Sequence, residues 1–154
     1  MSLEGQTAPD FSLPRDGGGE ITLSALRPQK VVLYFYPKDD TSGCTAEAQG
    51  FTEAKAAFEA AGAVVVGLSK DSVKKHDKFV EKYDLGVILV SDEDGAVCEA
   101  YGTWVEKSMY GRKYMGIDRS TFLIGGDGKV IREWRKVKVP GHVDEVLAAV
   151  KGGR

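Results

Sequence analysis

Six consecutive apolar, β-prone residues, Val31-Val32-Leu33-Tyr34-Phe35-Tyr36, constrain this chain more than any other stretch. A strand with one wet face alternates apolar and polar side chains. An uninterrupted run has to be covered on both faces, as in parallel or mixed sheets flanked by helices. Ala63-Val64-Val65-Val66-Gly67-Leu68 repeats the pattern, and Val87-Ile88-Leu89-Val90 gives a third strand. Between the first two strands, Phe51, Ala54 or Lys55, and Phe58 recur at helical spacing in an alanine-rich stretch closed by Gly62. That spacing predicts one helix from Cys44 to Gly62.

The remaining segments extend the same α/β architecture. Phe11-Ser12-Leu13 and Ile21-Thr22-Leu23 flank Pro14-Arg15-Asp16-Gly17-Gly18-Gly19, the signature of an N-terminal β-hairpin. Ser69 to Ser72 offers side chains that can cap a helix running towards Tyr83, and residues 95–101 read as a short helix. Ser120-Thr121-Phe122-Leu123-Ile124 and residues 129–134 bracket Gly125-Gly126-Asp127-Gly128 as a second hairpin, and residues 143–150 carry a final helical pattern. Trp104, Tyr110 and Tyr114 flank residues 111–116, read as a surface loop placed to overhang a site or mediate association. The expected fold is a central mixed β-sheet with helices on both faces, in a single domain over residues 3–154.

A net charge of −2 with both signs interspersed gives no reason to expect nucleic acid or an anionic membrane as a partner. The N-terminal residues have neither a basic head nor an apolar stretch, and no run is long enough to span a bilayer, so a cytoplasmic location is expected. The two cysteines, Cys44 and Cys98, form no CxxC pair, which suits a reducing compartment. No histidine or cysteine spacing suggests zinc, and Gly125 to Lys129 lies between strands rather than before a helix, so neither a metal nor a cofactor is expected. His76, within Lys74-Lys75-His76-Asp77-Lys78, and His142, after Pro140-Gly141, read as surface residues.

Chemistry points to Pro37-Lys38-Asp39-Asp40-Thr41-Ser42-Gly43-Cys44, which leaves the first strand and delivers a cysteine to a helix start. The plainer reading of such a cysteine is a small buried hydrophobe. As a nucleophile it needs to be a thiolate. Bringing an ordinary thiol from about 8.5 to about 6 requires roughly 3 kcal/mol, whereas a helix terminus supplies about 0.3–1 kcal/mol. A permanent cation is therefore needed, and arginine suits burial better than lysine. Arg119, just ahead of an apolar strand, is the first candidate; Arg112, Arg132 and Arg135 compete on charge alone. If the electrophile is a peroxide, Thr41 Oγ1 and the N–H groups of Gly43 and Cys44 are available donors, while Pro37 stiffens the loop and shields the sulfur.

Pro37-x-x-x-Thr41-x-x-Cys44, with Tyr36 before it and Thr45-x-Glu47 after it, resembles the peroxidatic motif of peroxiredoxins. Residues 35–41, Ser91-Asp92-Glu93-Asp94-Gly95 and residues 116–124 resemble the peroxiredoxin Q group, also called bacterioferritin comigratory proteins. The resemblance implies a thioredoxin-like fold and reduction of hydrogen peroxide and organic hydroperoxides through a sulfenic acid. Carried over by position, Cys44 is the peroxidatic cysteine, Thr41 donates to the peroxide, Pro37 shields and Arg119 is the active-site arginine. Gly43 supports the loop, and Glu47 matches a carboxylate that orients donors or the helix start.

The chain departs from that group where it matters for recycling. Position 42 is Ser42 where proline is usual, and the two usual places of a resolving cysteine hold Gln49 and, near the second, Val80. Cys98 is left as a possible resolving thiol, though its position in a short helix suits a core residue. The expectation is a one-cysteine cycle served by thioredoxin, glutaredoxin or a low-molecular-weight thiol such as glutathione, in a monomer or weak homodimer. The alternatives are a two-cysteine cycle through Cys98, a cysteine hydrolase with a histidine base, and a non-catalytic thioredoxin-like binding module.

Overall fold

The computed structural model describes residues 2–152, and within them the six-residue apolar run forms the middle strand of a five-stranded sheet. In chain order the elements are β1 (Ser12–Pro14), β2 (Glu20–Thr22), β3 (Lys30–Phe35), α1 (Ser42–Glu53), α2 (Lys55–Ala60), β4 (Ala63–Ser69) and α3 (Val73–Tyr83). There follow β5 (Ile88–Ser91), α4 (Ala96–Ala100), β6 (Trp104–Met109), β7 (Arg112–Ile117), β8 (Ser120–Ile124), β9 (Val130–Trp134) and α5 (His142–Lys151). The main sheet has the order β5-β4-β3-β8-β9; β4 runs parallel to β3 and β5, whereas β8 is antiparallel to β3 and β9.

The run on β3 is apolar throughout because each of its faces meets a different core. Val32, Tyr34 and Tyr36 point into a cluster with Ala48 and Phe51 of α1, Phe58 of α2, Phe79 of α3 and Val146 of α5. Val31, Leu33 and Phe35 alternate to the other side, against Cys98 of α4, Tyr101 and the N-terminal residues Ala8, Phe11 and Leu23. Helices thus cover both faces, but unequally: the second face has one short α-helix and completes its cover with the N-terminal segment, including a 3-10 turn over Leu23–Leu26.

The sheet edges are also occupied. At β5, Asp16 N donates to the Leu89 carbonyl and Asp16 Oδ1 accepts from Leu89 N, both at 2.9 Å, so the N-terminal hairpin closes that edge. At β9, Gly5 N donates to the Val130 carbonyl and Val130 N to the Gln6 carbonyl.

Two expectations about elements need correction. The single helix ending at Gly62 is two, broken at Ala54. Thr52 Oγ1 donates back to the Ala48 carbonyl at 2.7 Å, a bond that bends helices, and accepts from Gly86 N at 3.0 Å. Residues 111–116 are not a loop: β6 and β7 form their own two-stranded sheet, with Met109 opposite Arg112. The two residues between them, Tyr110 and Gly111, both take positive φ (52° and 78°), the geometry of a tight hairpin turn. Charged and aromatic residues spread along both strands hid the alternation. No helix among the described residues is long and apolar enough to cross a membrane.

Candidate functional site

Cys44 lies in the first turn of α1, where the chain has just left the carboxyl end of β3, and it is buried. Ligands of open α/β sheets gather at such strand ends. A cleft of about 470 Å³ lined by residues including Phe58, Val65 and Val87 lies at the opposite, amino ends of the parallel strands and holds no part of this constellation.

The helix start is left open. Thr41 occupies the N-cap position with extended backbone, yet its side chain does not cap the helix. Its hydroxyl donates to the Lys38 carbonyl at 2.9 Å and so closes the loop on itself. The first intrahelical bond runs from Thr45 N to the Thr41 carbonyl, which leaves the Gly43 and Cys44 N–H groups without an intrahelical partner. In this state the Thr41 proton is thus given to the loop. Pro37 and Thr41 are both exposed, whereas Cys44 is buried.

Among the four candidate arginines, the fold selects Arg119. It sits between β7 and β8, with 17% of its side chain exposed, and donates from Nη2 to Cys44 Sγ at 3.4 Å and from Nη1 to Glu47 Oε1 at 2.7 Å. Position 43 makes that approach possible. A Cβ on Gly43 would stand 3.1 Å from Arg119 Nη2, so the absent side chain leaves room for the guanidinium rather than relieving backbone strain. Burial lowers the tendency of Arg119 to hold its proton, but Glu47 and Cys44 outweigh it, and its pKa is raised.

Glu47 is fully buried one turn along α1 from Cys44. Desolvation pushes its pKa up to about 7, against the opposing pull of Arg119. Among the described residues, Glu47 Oε2 and the Tyr34 hydroxyl of β3 find no hydrogen-bond partner. Because the native value lies above the ordinary 4.5, the folded state holds the proton more tightly than the unfolded chain. Stability is therefore fullest below about 4.5 and falls as pH rises through about 7, by roughly 3 kcal/mol in all. Glu47→Gln is expected to flatten that slope and to raise stability in alkali; urea unfolding at pH values on either side of 7 checks it, and an unchanged slope refutes the assignment.

Cys98 is also fully buried, but in the core cluster on the other side of the sheet. Burial, aided by Asp92, drives its thiol far above the usual range and keeps it protonated. Asp92 Oδ2 accepts from Cys98 N at 2.8 Å. Nothing brings the two sulfurs together.

Both histidine expectations are overturned. His76 is fully buried on α3 and His142 is nearly so at the start of α5. His76 shares a helical face with Phe79 and Tyr83, a spacing that could have revealed it beneath the surrounding lysines. His142 Nε2 lies 2.8 Å from Thr121 Oγ1, and burial lowers its pKa. Neither ring is hydrogen-bonded to Cys44, so the pairing a cysteine hydrolase needs is missing.

A model of the AhpC/TSA family matches residues 4–133. A putative peroxiredoxin Bcp of Coxiella burnetii is 54% identical over 148 residues, covering 96% of this chain and 98% of its own length. Peroxiredoxin Bcp of Bacillus subtilis is 47% identical over 152 residues, 98% of this chain and 97% of its own. Among solved structures, a peroxiredoxin Q of Xanthomonas campestris superposes with a TM-score of 0.90 at 47% identity, over 99% of this chain and 96% of that one.

Proposed function

Since the chain belongs to the AhpC/TSA family and is a thiol-dependent peroxidase of the peroxiredoxin Q kind with a thioredoxin-like fold, we propose that Cys44 is its peroxidatic nucleophile. The observation that carries this reading is the Arg119 guanidinium bridging Cys44 Sγ and Glu47 Oε1. The thiolate attacks the terminal oxygen of a hydroperoxide. An S–O bond forms as the O–O bond breaks, sulfur keeps the hydroxyl as a sulfenic acid, and the departing alkoxide or hydroxide takes a proton from water. Negative charge moves from sulfur to the leaving oxygen, where Arg119 and the open N–H groups of Gly43 and Cys44 can stabilise it. Thr41, with its own proton on Lys38, offers a lone pair to the hydroperoxide O–H, and Pro37 limits water.

The substrate class is hydrogen peroxide and organic hydroperoxides. A structure of the Xanthomonas campestris bacterioferritin comigratory protein, 46% identical to this chain, was determined to explain alkyl peroxide reduction. Recycling proceeds by a one-cysteine route. An external thiol, from thioredoxin, glutaredoxin or a small molecule such as glutathione, displaces water from the sulfenic acid to give a mixed disulfide, and a second thiol releases Cys44. Support comes from the positions of the two cysteines in opposite cores and from the protonated state of Cys98. We place the protein in the cytoplasm, as a monomer or weak homodimer acting without metal or cofactor, in a single domain over residues 3–154.

Intact mass after one equivalent of peroxide tests the route. Addition of one oxygen, or of an external thiol when one is present, is expected; loss of two hydrogens with a Cys44 to Cys98 peptide link would establish the two-cysteine alternative. Cys98→Ser is expected to keep at least roughly half of the peroxide turnover.

A further inference from the structure

The loop that precedes Cys44 is fastened by groups that no step of peroxide reduction uses. Asp39, buried between β3 and α1, accepts from the Tyr36 hydroxyl through Oδ1 at 2.5 Å, and its Oδ2 lies 2.7 Å from His76 Nδ1. The other nitrogen of the ring, Nε2, lies 2.9 Å from the Val90 carbonyl of β5. Asp39 N donates to Asp71 Oδ2 at 2.8 Å. Loop, α3 and β5 therefore meet at one fully buried imidazole.

Counting protons fixes the state of that ring. A carbonyl only accepts, so Nε2 carries hydrogen; a carboxylate only accepts, so Nδ1 needs a second one. With Asp39 as a carboxylate, both contacts together require an imidazolium. Tyr36 does not relieve the demand, because its proton goes to Asp39 and its oxygen stands 3.4 Å from Nδ1. Burial disfavours the cation, but hydrogen bonding to Asp39 and its charge outweigh burial, and the pKa of His76 is raised. The groups acting on the ring are Asp39 of the loop, Asp71 at the head of α3, Tyr36 at the end of β3 and the Val90 carbonyl of β5; burial keeps the Tyr36 phenol neutral.

We propose that His76 is a positioning residue for peroxide reduction: its imidazolium ties Asp39, and with it residues 37–41, to α3 and β5, and loss of one proton in alkali unties them. A neutral ring has one hydrogen for two acceptors, so either the Val90 or the Asp39 contact breaks. Because the native pKa exceeds the ordinary 6.5, the tie is complete below that value and is lost as pH climbs through the native one. Pro37 and Thr41 flank Asp39, so loosening the loop misplaces both relative to Cys44. The inference rests on Cys44 as the nucleophile.

Asp39→Asn separates this role from mere packing. Its amide can donate to an unprotonated Nδ1 while Nε2 still bonds Val90, which keeps both contacts with a neutral ring. The measurements are the rate of Cys44 oxidation by hydrogen peroxide from about pH 6 to 10, alkylation of Cys44 by iodoacetamide across the same range, and ring ¹⁵N shifts of His76. The unsubstituted protein should show an alkaline fall in peroxide rate of about tenfold that alkylation does not share. Asp39→Asn should abolish the fall without moving the alkylation profile. Superimposable peroxide profiles, or ¹⁵N shifts of a neutral ring at the acid end, overturn the proposal. The ring shifts do not depend on Cys44, and full peroxide turnover by Cys44→Ser would instead remove the nucleophile reading.

Discussion

Replacing Cys44 with serine is expected to abolish peroxide turnover, by at least about four orders of magnitude. A serine hydroxyl fits the same buried position, 1% exposed in the parent residue, and can still accept from Arg119, so fold and thermal midpoint should change little. What disappears is a sulfur nucleophile that can carry an oxygen away. Peroxide consumption in the presence of excess thiol measures it. Turnover above about one per cent of the parent would place the nucleophile elsewhere, and Cys98, buried and protonated on the other face, would be a poor substitute.

Arg119→Met should produce the next largest effect, a loss of about a hundred- to a thousandfold in the rate of Cys44 oxidation. The guanidinium contacts Cys44 Sγ at 3.4 Å and Glu47 at 2.7 Å, and methionine replaces neither contact. Breaking a buried ion pair from one side commonly costs about 3–5 kcal/mol, because the remaining charge is stranded. Here the stranded group has an escape. Glu47 already titrates near 7 with its partner present, and without it the pKa rises further, so at acid pH the carboxyl simply keeps its proton. The stability lost in Arg119→Met should thus be small below neutrality and larger above it. Adding Glu47→Gln should restore the alkaline stability and leave the rate low. Chemical denaturation across that pH range, paired with stopped-flow oxidation, separates the two effects; a rate restored by the second substitution would mean that Arg119 serves stability alone.

What could be read along the chain was short-ranged. Continuous apolar runs disclosed the buried strands because a strand with two covered faces has no polar positions to interrupt it. The loop from Pro37 to Cys44 was legible for a similar reason: its turn, helix start and thiol are contiguous. What failed were facts created by distance. Arg119 meets Glu47 across a separation of 72 positions; its place ahead of an apolar strand made it the first candidate, but periodicity alone favoured a solvated strand-end arginine until the family motif matched it. His76 stands among lysines, so composition marked it as exposed, although one face of α3 turns it inward to a loop 37 positions away. Gly43 was legible only as an N–H donor and a support for the loop. In the fold its value is the space that the guanidinium fills.

The sheet that divides the two cores has a last consequence, one of timing. With Cys44 on one side and Cys98 on the other, the proposed one-cysteine cycle leaves the chain no clock of its own for returning to the reduced state. Under a one-cysteine cycle the lifetime of the oxidised enzyme is set from outside, and it halves each time the thiol concentration around it doubles. Over-oxidation becomes a race between two solutes, peroxide and thiol, for one sulfur. The same polypeptide would therefore endure a peroxide burst in a thiol-rich medium and be permanently silenced by it in a depleted one.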